Sequence, residues 1–141
     1  MKAKINWLGE CAFAGEASSG HTVIMDGPPD FGGQNRGARP MELLLLGLGG
    51  CTAFDVVQIL RKSRQEVTDC QLSIEAERAE TDPKVFTRIH IHYRVVGRNL
   101  NEKQVARAVS LSAEKYCSAS IMLGKTAEIS HEYSLHEAEA S

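Results

Sequence analysis

Arg39-Pro40-Met41-Glu42-Leu43-Leu44-Leu45-Leu46-Gly47-Leu48-Gly49-Gly50-Cys51 is the stretch that decides how this chain folds. It reads as the first half of a long helix running from Pro40 to about Gln65. Pro40 suits the first helical turn, where its missing N–H leaves no hydrogen bond unmade. Four consecutive leucines leave no polar face, so the helix is expected inside something rather than on it. Gly47, Gly49 and Gly50 each weaken a helix by roughly 1 kcal/mol relative to Ala. That loss makes sense where another backbone approaches closely. The charged end at Arg61-Lys62-Ser63-Arg64 complements the helix dipole.

Upstream, Ala3, Ile5 and Trp7 alternate with polar positions. Gly9-Glu10 makes a turn, Cys11-Ala12-Phe13-Ala14 follows, and Ser18-Ser19-Gly20 turns again into His21-Thr22-Val23-Ile24-Met25-Asp26. This predicts three short strands. Gly27 to Ala38 shows no periodicity and is rich in Gly, Pro, Asp, Asn and Arg, so it reads as a loop that delivers Arg36 and Arg39 to the helix. Downstream, Leu72, Ile74 and Ala76 alternate with polar residues before the turn Thr81-Asp82-Pro83-Lys84. Thr87, Ile89, Ile91, Tyr93 and Val95 then alternate with Arg88, His90, His92 and Arg94, which predicts a long hairpin with one buried face. Asn101, with Gln104 three residues on, is a capping-box start for a second helix presenting Val105, Ala108, Val109 and Ser112. The helical pattern breaks around Cys117 and resumes through Ile121-Met122-Leu123-Gly124. A last strand carries Ala127, Ile129, His131, Tyr133 and Leu135, and residues 137–141 are expected to fray. The order of elements is α+β in a single domain over residues 1–141.

With 43% hydrophobic and 24% charged residues, the 141-residue chain has the composition of an ordinary globular domain. Its net charge of −2 argues against a nucleic-acid surface or attraction to anionic membranes. Met1-Lys2-Ala3-Lys4-Ile5-Asn6-Trp7 lacks the apolar core of a signal peptide, and the uncharged stretch Leu43 to Phe54 is too short to span a bilayer. A cytoplasmic protein with reduced thiols is expected.

Cys11, Cys51, Cys70 and Cys117 form no C-x-x-C pair, and their spacing matches no zinc module. Cys11 and Cys70 read most simply as core. Cys51 sits inside the apolar helix and Cys117 where a helix restarts; buried packing is the plain alternative for both. As a pair they offer more: one thiolate oxidised by a peroxide to a sulfenic acid, and a second thiol condensing with it before over-oxidation. Such chemistry needs a cation, and Arg36 and Arg39 are best placed by sequence; otherwise they belong to a solvated loop. Glu42, one turn into the helix, is either part of the site or a carboxylate held by the helix N-terminus. His90 and His92 share a strand face, a spacing used by metal sites, but Arg88 and Arg94 on that face repel a cation. No metal is expected there.

The run Arg39 to Cys51 resembles the central helix of OsmC/Ohr-type proteins, and Glu114-Lys115-Tyr116-Cys117-Ser118-Ala119-Ser120 resembles their second cysteine motif. Pro-Met-Glu-Leu-Leu-Leu and Gly-Gly-Cys are similar to the YhfA-type branch. The resemblance implies an intertwined homodimer, with antiparallel sheets wrapped around long central helices and the glycines at the seam. It implies a thiol-dependent peroxidase reducing small organic hydroperoxides in stress defence, with Cys51 peroxidatic and Cys117 resolving. Arg39, Arg36 and Glu42 are the candidate residues around them. No metal or organic cofactor is implied, only an external dithiol reductant. Two positions depart from the family pattern. Met41 stands where peroxidase members carry a glutamate, with Glu42 about 100° further round the helix, and Gly20-His21 occupies the region where they carry an arginine. The alternative is a non-catalytic dimer of the same fold that binds a small molecule or senses redox state.

Overall fold

The computed structural model describes residues 1–139. The chain comprises two compact units, Met1–Leu46 and a second beginning at Gly47.

The first unit holds an antiparallel meander: β1 (Ala3–Gly9), β2 (Ala12–Ala17) and β3 (Thr22–Met25). Glu10 takes a positive φ of 50° at the first turn, beside Gly9 at 100°. The loop that follows contains a short 3-10 turn, Pro29–Phe31. It is organised by Asp26, whose side chain is wholly buried. Its carboxylate accepts hydrogen bonds from the backbone N–H of Gly27 (2.7 Å), Gln34 (3.2 Å) and Arg36 (3.1 Å), and from Arg36 Nε (3.2 Å). Burial opposes its ionisation, but these donors outweigh it and hold the pKa down at about 2. The loop closes tightly: a Cβ on Gly33 would collide with the Gly27 carbonyl, and one on Gly37 with the Ile24 carbonyl.

The long helix, α1 (Pro40–Lys62), begins in this unit and continues into the second. It stops a turn short of the expected Gln65, because Arg64 adopts a positive φ of 61° and Gln65 N–H bonds back to the Leu60 carbonyl. Its buried residues are Leu48, Thr52, Val56 and Leu60, a single stripe at four-residue spacing. Leu46 and Phe54 remain 64% and 66% exposed. Taken whole, α1 is long and apolar enough to cross a bilayer by length and composition, because helix length counts residues beyond the uncharged stretch. Its buried stripe is engaged within the protein, where Thr52 Oγ1 lies 2.7 Å from Tyr93 Oη. Among the described residues of one chain, no second backbone approaches these glycines, contrary to expectation. A Cβ on Gly49 would stand 3.1 Å from Ile74 Cδ1, whereas Gly47 and Gly50 meet nothing within 4 Å in one chain.

In the second unit the expected hairpin is β4 (Glu66–Arg78) and β5 (Phe86–Arg98), antiparallel. Ile89, Ile91, Tyr93 and Val95 are buried, as the alternation requires. α2 (Glu102–Leu111) starts at Asn101, whose side chain accepts from the N–H groups of Lys103 (2.9 Å) and Gln104 (3.3 Å). The expected break is a π-helical turn, Ser112–Tyr116, followed by α3 (Ser118–Leu123). β6 (Glu128–Glu137) then joins the other side of β5, in parallel. The fold is α+β as expected, but its second sheet is mixed. The helices between β5 and β6 return the chain to the end where β5 began, so β6 runs the same way. β6 continues through Glu137 into the stretch expected to fray; Ala140 and Ser141 lie outside the described residues.

Candidate functional site

Two elements of the second unit bring the site together. Cys51 lies on α1, one turn before Asp55, so both occupy one helical face. Cys117 is the residue at which the π turn ends and α3 begins, with extended φ/ψ of −78° and 100°. The thiol sulfurs of Cys51 and Cys117 and a carboxylate oxygen of Asp55 all lie within 4.8 Å of one another. All four cysteines are free thiols; Cys117 is fully buried and Cys51 half-buried.

The environment separates the two thiols. Burial pushes the Cys117 thiol above its ordinary range, and the neighbouring Cys51 adds to this. Ser120 opposes the shift, its backbone N–H donating to Cys117 Sγ at 3.3 Å. Cys117 is therefore a protonated thiol at neutral pH, behind a more accessible Cys51.

Beneath them runs a chain of hydroxyls that the sequence did not reveal. Tyr93 Oη and Thr52 Oγ1 are 2.7 Å apart, as are Thr52 Oγ1 and Ser112 Oγ, and Ser112 Oγ donates to Asp55 Oδ2 at 3.0 Å. The Ser112 hydroxyl spends its one proton on Asp55, which sets the direction of the whole chain: Thr52 donates to Ser112, and Tyr93 to Thr52. Tyr93 is held above its usual pKa by burial, opposed by its bond to Thr52. The available signals were Thr52 in an otherwise apolar stripe and Asp55 one turn after Cys51. Asp55 also lines an open cleft of about 810 Å³ with Phe54, Ile59, Lys62, Arg107 and Tyr116.

The other expected site residues belong to the first unit and are engaged there. Arg36 pairs with buried Asp26 through Nε at 3.2 Å. Arg39 Nη1 donates to Asn35 Oδ1 (2.6 Å) and to the Gly37 carbonyl (3.2 Å). Glu42 accepts from the Arg39 backbone N–H at 2.7 Å, the reciprocal half of a capping box at the start of α1. Met41 is half-buried beside it. His90 and His92 both reach one oxygen of Glu132, at 3.1 and 3.3 Å, on the partly exposed side of the sheet. Cys11 is half-buried and donates to the Phe31 carbonyl at 3.3 Å, and Cys70 is half-buried on β4.

Residues 33–132 match the family model described as OsmC-like protein. The protein YhfA of Escherichia coli (strain K12) is 47% identical over 133 residues, covering 94% of this chain and 96% of that one. Among solved structures, a hypothetical protein from Aquifex aeolicus VF5 superimposes with a TM-score of 0.86 at 33% identity, over 98% of this chain and 97% of that one. A protein of Legionella pneumophila described as an organic hydroperoxide resistance protein OsmC superimposes with a TM-score of 0.72 at 19% identity, over 94% of this chain and 95% of that one. At that identity the likeness is one of fold.

Proposed function

The chain belongs to the OsmC-like family, and on that premise we propose that it is a thiol-dependent peroxidase reducing small organic hydroperoxides. The observation that carries this reading is the approach of Cys51 and Cys117, distant in sequence, to within 4.8 Å at their sulfurs.

Cys51, the more accessible thiol, attacks the terminal peroxide oxygen as its thiolate. The O–O bond breaks, an S–O bond forms, and the alkoxide leaves as the alcohol after taking a proton, so Cys51 becomes a sulfenic acid. Cys117 then attacks that sulfur; an S–S bond forms and the hydroxyl leaves as water. The two electrons have passed from the sulfur pair to the peroxide, and an external dithiol restores both thiols by exchange. The raised pKa of Cys117 suits a resolving thiol that stays protonated until the sulfenic acid is beside it. Arg39 is the better of the two candidate cations for holding thiolate and peroxide. Its guanidinium makes no ion pair among the described residues, whereas Arg36 is committed to Asp26. Glu42 would fix the Arg39 backbone.

The working form in this reading is a homodimer in the cytoplasm. One chain leaves Leu44, Leu46 and Phe54 uncovered on α1 and leaves open space at Gly47 and Gly50. A second copy would cover that apolar surface.

The test is consumption of cumene hydroperoxide with a dithiol reductant by wild type, Cys51→Ser and Cys117→Ser. Wild type is expected to turn over and Cys51→Ser to fall to background. Cys117→Ser is expected to stop after one equivalent with a trappable sulfenic acid. Wild type no faster than Cys51→Ser would end the enzyme reading and leave a binding or sensing role.

A further inference from the structure

Asp55 is the residue of the thiol cluster that peroxide reduction does not use. A half-buried carboxylate is costly unless paired. Among the described residues Asp55 forms no ion pair, and its hydrogen bond comes from the neutral Ser112 hydroxyl. Its neighbours are two thiols, which become anions when they react. Two sulfurs and a carboxylate oxygen gathered within 4.8 Å are a ligand set that one cation can share, displacing the thiol protons as it binds.

From this arrangement we propose that Cys51, Asp55 and Cys117 form, in the reduced protein, a binding site for one soft divalent cation of the Zn²⁺ class. The donor set has the right chemistry: two thiolates and a carboxylate, with a fourth position left to water or an added ligand. The dimensions are close. An ion about 2.3 Å from each sulfur and about 2.1 Å from the oxygen holds the ligand atoms roughly 3.5–3.8 Å apart in a tetrahedron. Closing from 4.8 Å to that spacing falls to the Cys51 and Asp55 side chains, which share one helical face.

Supporting contacts are already in place. Ser112 donates to Asp55 Oδ2, leaving the other oxygen to the ion, and the Ser120 N–H donates to Cys117 Sγ. Such outer hydrogen bonds orient ligands and tune their basicity. The open cleft that Asp55 lines provides an entry path, and its Lys62 and Arg107 offset the single negative charge left when a divalent ion meets three anions. Bound ion and disulfide exclude one another, since both need the same two sulfurs. The site does not depend on the peroxidase reading: it requires only reduced thiols.

The experiment uses reduced, metal-stripped, full-length protein titrated with Zn²⁺ or Cd²⁺ alone, without peroxide. One ion per chain is expected, with a thiolate-to-Cd²⁺ charge-transfer band in the ultraviolet. Bound ion should protect Cys51 from a thiol reagent, leaving Cys11 and Cys70 as reactive as before. Asp55→Asn should weaken binding by about tenfold or more while keeping the thiolate band. Cys51→Ser should lose the two-thiolate signal, with circular dichroism confirming that both variants fold. Three results would overturn the proposal. Wild type could retain no ion; Cys51→Ser could bind as well as wild type, which would move the ion to a face such as His90 and His92; or Asp55→Asn could leave affinity unchanged.

Discussion

At the scale of residues, Thr52 holds the polar interior of the second unit together. It sits between Tyr93 and Ser112, 2.7 Å from each, and both neighbours are buried. Thr52→Val keeps the shape but leaves the Tyr93 hydroxyl without its acceptor and Ser112 without its donor. An orphaned buried hydroxyl costs about 1–3 kcal/mol. Urea unfolding should show a loss of that size. Tyr93→Phe in the same background should recover part of it, because the orphan is then removed. Unchanged stability in Thr52→Val would mean that water replaces the bond. None of this could be read from Thr52 alone, because its partners lie 41 and 60 residues away. Cys51 and Cys117, by contrast, stood out in the sequence through their local contexts, a glycine-rich helix and a helix restart. Their closeness was a matter for the tertiary structure.

At the scale of elements, the loop between β3 and α1 illustrates how a segment without periodicity can still be tightly specified. Composition identified it as a loop but said nothing of Asp26, whose four donors lie up to ten residues downstream. The carboxyl is held at about 2, below the ordinary aspartate value of 3.8 that applies to the unfolded chain. The folded state therefore binds fewer protons, and the contribution of Asp26 to stability is complete above the unfolded pKa. It is lost as pH falls through about 2. Thermal denaturation between pH 5 and pH 2 should show a steep acid limb in wild type. In Asp26→Asn that limb should flatten, with lower stability at neutral pH because the amide replaces an acceptor oxygen with a donor facing N–H groups. A wild-type limb no steeper than that of Asp26→Asn would show that other carboxylates govern acid unfolding. α1 was more legible than the loop, because Pro40, the leucine run and the basic end are signals carried by neighbouring residues. What misled was burial. An all-round apolar helix was expected to be enclosed, yet within one chain only the Leu48–Thr52–Val56–Leu60 stripe is.

At the scale of the whole molecule, that uncovered surface makes a prediction about assembly. If a second copy covers Leu46 and Phe54, 64% and 66% exposed in one chain, charge placed there should separate the copies. Leu46→Glu with Phe54→Glu is expected to shift sedimentation from dimer toward monomer. A wild type that sediments as a monomer at all concentrations would discard the dimer. The sequence by itself determined the α+β order of elements, the long helix, the hairpin with its buried Ile89–Ile91–Tyr93–Val95 face, the Asn101 cap and the membership in the OsmC-like family. The elements are readable because periodicity, caps and turn residues act between neighbours a few positions apart, and the family because its motifs around Cys51 and Cys117 are contiguous in the chain. Only the tertiary structure decided that β6 runs parallel to β5, that Asp26 organises its loop, and that Asp55 stands with Cys51 and Cys117 above a chain of hydroxyls. Those features depend on which distant residues the packed helices and sheet bring within a few ångströms, and no local pattern in the chain encodes that distance.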